Sequence, residues 1–244
     1  MGKSMSITKN EIVIPLLAAL AVLLAAAAIF QPWWSARTSP ELQMMTNSTM
    51  TIDAGLFQTL NAARTDANET NTLAFAITNT TAYQSPIFQT ITANRTDGNL
   101  TSTFTFNIGN LTSYQQQTKQ IADTTNLTLP LTVVGLVLVI VTMLLILVVT
   151  RTKMALERYT YAVGVLAAIV LLIAPLQLAL NVTDFWGSLN VPDSSPVWKD
   201  EVLATWGPSI GWYLTLAAAL LIIVCLLPIR TMYSDRKRLT QSLK

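Results

Sequence analysis

The sequence predicts a mainly α-helical membrane protein, a four-transmembrane-helix bundle with a β-rich extracellular domain in the first loop. Three observations carry that prediction. Four apolar runs, at 12–30, 129–150, 161–180 and 210–229, contain no Asp, Glu, Lys or Arg. Each comes close to the roughly 20 residues a helix needs to cross a bilayer. A helix satisfies its own backbone there, which lipid cannot do for it. Charged residues make up only 11% of the chain, against about 25% in soluble domains. Finally, the long segment 31–128 is polar and Thr-rich, yet apolar residues alternate within it.

The elements follow in order. Residues 1–11 form a short N-terminal segment carrying Lys3 and Lys9. The first span, 12–30, is longer than the roughly 7 to 15 apolar residues of a cleavable leader. It reads as a retained helix, with Trp33 and Trp34 as an aromatic anchor at its exit. Within 31–128, Leu73, Phe75 and Ile77 alternate with small or polar residues, as do Phe104, Phe106 and Ile108. That period of two predicts half-buried strands. Weaker strands fit 43–52 and 87–93, and Asp97-Gly98 supplies turn chemistry before the last strand. The expectation is three or four antiparallel strands, then a polar helix over 113–123 leading into the second span, 129–150.

A turn at 151–160 joins the second span to the third, 161–180. The second loop, 181–209, is short and carries Trp186, Trp198 and Trp206, with Trp212 just beyond. These four read as interfacial anchors or as an aromatic surface for a partner. The fourth span, 210–229, is followed by a basic tail, 230–244. Pro175 and Pro228 are expected to kink or end their helices. Ala18, Ala21, Ala25 and Ala28 share one face of the first helix, and Gly164 and Ala168 form a small-residue pair on the third. Such faces let helices approach closely in lipid.

Charge sets the orientation. The segments 1–11, 151–160 and 230–244 hold Lys3, Lys9, Arg151, Lys153, Arg158, Arg230, Arg236, Lys237, Arg238 and Lys244. The two much longer loops hold only Arg37, Arg64, Arg95, Lys119 and Lys199. The positive-inside rule therefore puts both termini in the cytoplasm of a multi-pass plasma-membrane protein. N-glycosylation sequons agree: they begin at Asn47, Asn68, Asn79, Asn94, Asn99, Asn110, Asn126 and Asn181, all in the two loops. Asn126 and Asn181 lie close to their spans, where access is poor. In the tail, Arg236, Lys237 and Arg238 are candidates for anionic lipid headgroups. The small net charge of +2 gives no reason to expect nucleic acid.

A topology of this kind, with a tryptophan followed about twenty residues later by Gly55-Leu56-Phe57, resembles the claudin superfamily. That group includes claudins, peripheral myelin protein relatives and tetraspan channel subunits. Claudin loops carry a tryptophan, then Gly-Leu-Trp, then two cysteines. Trp34 (or Trp33) stands at the first position here, and Phe57 replaces the last tryptophan. The paired cysteines are absent, because the single cysteine, Cys225, lies in the fourth span. The resemblance is thus to a distant relative without the loop disulfide. It implies that Trp34, Leu56 and Phe57 pack where the sheet meets the membrane, with Gly55 allowing a tight bend.

Catalytic chemistry finds few candidates. The chain has no histidine, which removes imidazole acid–base catalysis and histidine ligation of metals. One cysteine cannot form a metal cluster, and no glycine-rich phosphate loop is present. Asp53, Asp184, Asp193, Asp200 and Glu201 read as solvated carboxylates. No span carries an ionisable residue of the kind that marks an ion or proton path. Taken with the resemblance, these features predict a non-enzymatic protein without cofactors. It would act through protein contacts, by self-assembly or cell-surface adhesion. The alternative is an accessory subunit of a larger transporter, channel or enzyme complex. Its expected partners are membrane lipids, N-glycans, and either itself or another membrane protein.

Overall fold

A computed structural model of the chain describes residues 9–40, 43–44, 48–66, 69–76, 91–97, 100–106, 111–152, 156–181, 199–200 and 204–242. Among the described residues are four long helices: α1 (Lys9–Phe30), α2 (Leu111–Thr152), α3 (Glu157–Asn181) and α4 (Ile210–Ser242). Each holds a stretch long and apolar enough to span a membrane: Ile12–Phe30, Asp123–Arg151, Glu157–Leu180 and Ile210–Arg230. These are the helices of a multi-pass membrane protein. The polar stretch before the second span is helical, as expected, and continuous with it. Pro175 and Pro228 end neither helix: α3 runs on to Asn181, and α4 on to Ser242. Among packed membrane helices, neighbouring groups can compensate for the hydrogen bond a proline removes.

The chain divides into two compact units. One comprises Met1–Ile29, Pro130–Pro175 and Tyr213–Lys244, and the other Phe30–Leu129 and Leu176–Trp212.

The first unit is helical. Its central core draws on all four helices: Ala21 and Ala25, Val139, Ala167, Ala168 and Leu171, then Ala218, Ala219, Ile222 and Leu226. The alanine face expected on α1 is real, since Ala18, Ala21, Ala25 and Ala28 are all fully buried. Gly164 marks a close approach. A Cβ built there would lie 2.5 Å from Leu226 Cδ2 and 3.1 Å from Thr142 Cγ2, so α2, α3 and α4 converge on it. Buried threonines bond back within their own helices, Thr142 to the Leu138 carbonyl at 2.7 Å and Thr150 to that of Ile146 at 2.8 Å. Their hydroxyls therefore need no water. A second cluster joins Ile14, Ala18, Ile146 and Cys225, with the Cys225 thiol 3.7 Å from the Ile14 carbonyl.

Among its described residues the second unit contains a six-stranded antiparallel sheet and a separate hairpin. In chain order the strands are β1 (Pro32–Thr38), β2 (Ser48–Gly55), β3 (Thr59–Asp66), β4 (Glu69–Ala76), β5 (Ile91–Asp97), β6 (Leu100–Phe106), β7 (Lys199–Asp200) and β8 (Ala204–Pro208). The main sheet runs β4-β3-β2-β1-β8-β7, and β5 pairs with β6 alone. This exceeds the three or four strands expected, and the second loop contributes to the sheet. The strand expected at 43–52 begins instead at Ser48. Residues 43–44 are helical, with the Gln43 N–H bonded to the Ser39 carbonyl at 3.0 Å. The strand expected at 87–93 is shifted to 91–97, with 87–90 outside the described residues. Ile77, Gly98 and Ile108 also lie outside them.

Candidate functional site

The features that set this chain apart lie in the main sheet. Strand β1 follows α1 after a single residue and has partners on both edges, β2 on one and β8 on the other. On the β2 side, Pro32 pairs with Gly55 but Trp34 with Ala54, so Trp33 is an extra, bulged residue. Successive residues of a regular strand point to opposite faces. A bulge breaks that rule and re-aims a side chain, which lets two adjacent tryptophans both be buried. Trp33 is 0% exposed and Trp34 3%. The bulge also frees the Trp33 carbonyl, which accepts the Ser209 N–H at 2.9 Å. Ser209 caps α4, its carbonyl accepting the Trp212 N–H at 3.1 Å.

From this strand the apolar face spreads across the sheet in two rows. Register places Trp34, Ala54, Leu60 and Phe75 in one row and Ala36, Ile52, Ala62 and Leu73 in the next. All but Leu73 are buried. Directly opposed side chains such as these stabilise a sheet by roughly 0.2–1 kcal/mol per pair. Thr38 closes the end of β1: its hydroxyl accepts the Met50 N–H at 2.6 Å and donates to the Met50 carbonyl at 3.2 Å.

The opposite face is polar, with Arg37, Thr51, Asp53 and Asn61 at its register positions. Burial pushes the Asp53 carboxyl above its ordinary range, and the nearby Arg37 charge only partly offsets this. Burial disfavours the charged form. On β3, Arg64 Nε pairs with Asp66 Oδ2 at 2.8 Å.

The Gly55-Leu56-Phe57 motif sits where β2 turns into β3, and its three residues have different fates. Leu56 is 1% exposed. Phe57 is 52% exposed, so it is not tucked away as the resemblance implied. Its ring packs at 5.9 Å on that of Phe30, the last residue of α1. Gly55 is still in the strand, and the bend comes three residues later. There Gln58 takes the left-handed conformation, with φ 57°. Its side-chain amide donates to Asn126 Oδ1 on α2. The turn is thus held by a ring contact on one side and an amide pair on the other.

The remaining expected site residues are placed unevenly. Asn126 is exposed on a helix, and Thr128 of the same sequon is fully buried, its hydroxyl donating to the Thr124 carbonyl at 2.9 Å. Asn94 lies in β5 and Asn181 ends α3. Asn47, Asn68, Asn79, Asn99 and Asn110 fall outside the described residues, as do Trp186 and Trp198. Trp206 is in β8 and pairs through its backbone with Ala36 and Lys199, so it belongs to a strand. Trp212 is half-buried in the first turn of α4. Arg236, Lys237 and Arg238 lie on the helical continuation of α4. Among the described residues, no group of three His, Cys, Asp or Glu could hold a metal.

Sequence reasoning missed β1, β3, β7 and β8. The bulge hides the alternation of β1, and β3 has only Leu60 and Ala62 facing the apolar side. Comparison with protein-family models returns no match, and no curated protein sequence matches the chain.

Proposed function

We propose that the chain is a non-enzymatic, claudin-like tetraspan whose loop sheet faces the cell exterior and acts through protein contacts, by self-assembly or adhesion. One observation carries the reading. Both loops between spans contribute to a single antiparallel sheet, with β8 of the second loop hydrogen-bonded along β1 of the first. A sheet assembled this way is a stiff platform, and residues displayed at its edges and loops keep fixed positions. The buried Trp33, Trp34 and Leu56 support the claudin-like part of the reading, and the four apolar runs 12–30, 129–150, 161–180 and 210–229, which hold no Asp, Glu, Lys or Arg, support the absence of a monomeric transport path. The charge asymmetry and the eight sequons support an exterior sheet and cytoplasmic termini.

The test is purification of the full chain from native membranes in mild detergent, with sizing and mass spectrometry of whatever co-migrates. Recovery alone or as a homo-oligomer is expected. Stoichiometric recovery with a transporter or membrane enzyme would replace this reading with that of an accessory subunit. The same spectra test the orientation, since glycan on the first loop requires an exterior face. Asn126 is expected to remain unmodified even so. Its amide is engaged by Gln58, and the threonine a transferase must reach is buried in a helix.

A further inference from the structure

Along the helical unit, a shallow apolar groove of about 180 Å³ runs between α3 and the span of α4. Ala168 and Leu226, both 4% exposed, form its floor, and Leu172 and Ile223 flank its far end. At the other end stand Tyr161 and Arg230, where the third span starts and the fourth finishes. With a rise of about 1.5 Å per residue, the groove extends about 16 Å along α3 from Tyr161 to Leu172. It extends about 10 Å along α4 from Ile223 to Arg230.

Two properties identify an occupant. The rim of the groove is itself made of exposed aliphatics, Ile169, Leu172, Ile223 and Leu227. Hydrocarbon is therefore the medium it meets. Among the described residues that line it, Arg230 is the one cation; it is exposed and stands where the fourth apolar stretch ends. A guanidinium presents a planar fork that matches phosphate oxygens, and the Tyr161 hydroxyl can donate beside it. A slot for one chain below a phosphate-binding cation has the chemistry of a phospholipid with a net negative headgroup.

We propose that one anionic phospholipid, from the leaflet on the Arg230 side, occupies this groove with an acyl chain between α3 and α4 and its phosphate on Arg230. The site is distinct from the tail cluster Arg236, Lys237 and Arg238, which would attract a charged surface without selecting a molecule. It does not depend on the adhesion reading or on which side of the membrane is cytoplasmic.

Native mass spectrometry of the purified full chain tests it, with dioleoylphosphatidylglycerol and dioleoylphosphatidylcholine as probes. The wild type is expected to retain one phosphatidylglycerol, about tenfold in preference to phosphatidylcholine. Arg230→Gln should bring the two lipids level, and Arg230→Lys should restore most of the preference. Leu172→Trp, on the half-exposed rim, should lower retention of both lipids at least fivefold without changing the helical circular dichroism. Neutralising Arg236, Lys237 and Arg238 together should leave the single bound lipid in place. Equal retention of both lipids by the wild type would overturn the proposal. So would an Arg230→Gln variant that keeps its preference, or a preference lost only with the tail cluster. A two-chain particle that dissociates on Leu172→Trp and holds no lipid would assign the groove to a second copy of the chain instead.

Discussion

The two units of this protein bury different mixtures of side chain. In the helical unit alanine is prominent: Ala18, Ala21, Ala25, Ala28, Ala167, Ala218 and Ala219 are buried beside Leu171, Ile222 and Leu226, while Leu16, Leu23, Leu166, Leu220 and Leu227 point outward. In the sheet unit aromatic and large aliphatic side chains predominate, with Trp33, Trp34, Ile52, Leu56, Leu60 and Phe75 inside beside Ala36, Ala54 and Ala62, and Arg37 and Asn61 outside. The difference follows from the solvent each surface is built for. Moving a leucine from lipid to a protein interior gains little, because both are apolar. Helices therefore associate by close packing, which small residues permit. Against water, each buried apolar Å² contributes about 25 cal/mol, and large side chains contribute most. One chain thus follows two rules, and substitutions can test whether its halves obey them separately.

The largest effect is expected from Trp34→Ala. Emptying a buried tryptophan site costs about 3–5 kcal/mol, enough to open a small sheet. Loops of the variant should become sensitive to protease in sealed vesicles. Cys225, buried against Ile14 in the helical unit, should stay unreactive to maleimide. Were Cys225 to become reactive as well, the two units would be one cooperative structure and the comparison would fail.

Gly164→Val asks the converse question. The added atoms would run into Leu226 and Thr142, and overpacking of this kind costs about 1–3 kcal/mol. Maleimide labelling of Cys225 should accelerate while the loops keep their protease resistance. A smaller loss is expected from Thr38→Val, which leaves the Met50 N–H without its hydroxyl acceptor. Such a loss costs about 1–2 kcal/mol and should appear as a lower Tm for the sheet, with Cys225 protection unchanged.

The gentlest probe is pH. Burial raises the Asp53 pKa, so the folded state holds that proton more tightly than the unfolded chain does. Its contribution to stability is fully present below the ordinary carboxylate pKa and is lost as pH rises through the raised, folded value. Sheet stability should therefore fall as pH rises across that window. Asp53→Asn should flatten the profile and leave the sheet more stable at neutral pH, as thermal melts at several pH values would show. An unchanged profile would mean that Asp53 is well solvated.

By itself the sequence determines the four apolar runs, the alanine face of α1, the placement of all eight sequons outside those runs, and the strands around Phe75 and Phe104. Each is a local signal: an apolar run has a length, a helix or strand has a period, and a sequon has three residues. The resemblance also directs attention to Trp33, Trp34 and Leu56, which are buried. Only the tertiary structure decided the rest. That β8 of the second loop joins β1, with Trp206 in the strand, depends on pairing residues some 170 positions apart. Periodicity within a window cannot report that. Bulging at Trp33 breaks the alternation by which β1 would have been found. Gly55 stays extended while Gln58 takes the left-handed turn, because the bend is held by Asn126 and Phe30, neither of them nearby in the sequence. Local chemistry specifies which segments are helix or strand; hydrogen bonds between distant segments specify which strands share a sheet.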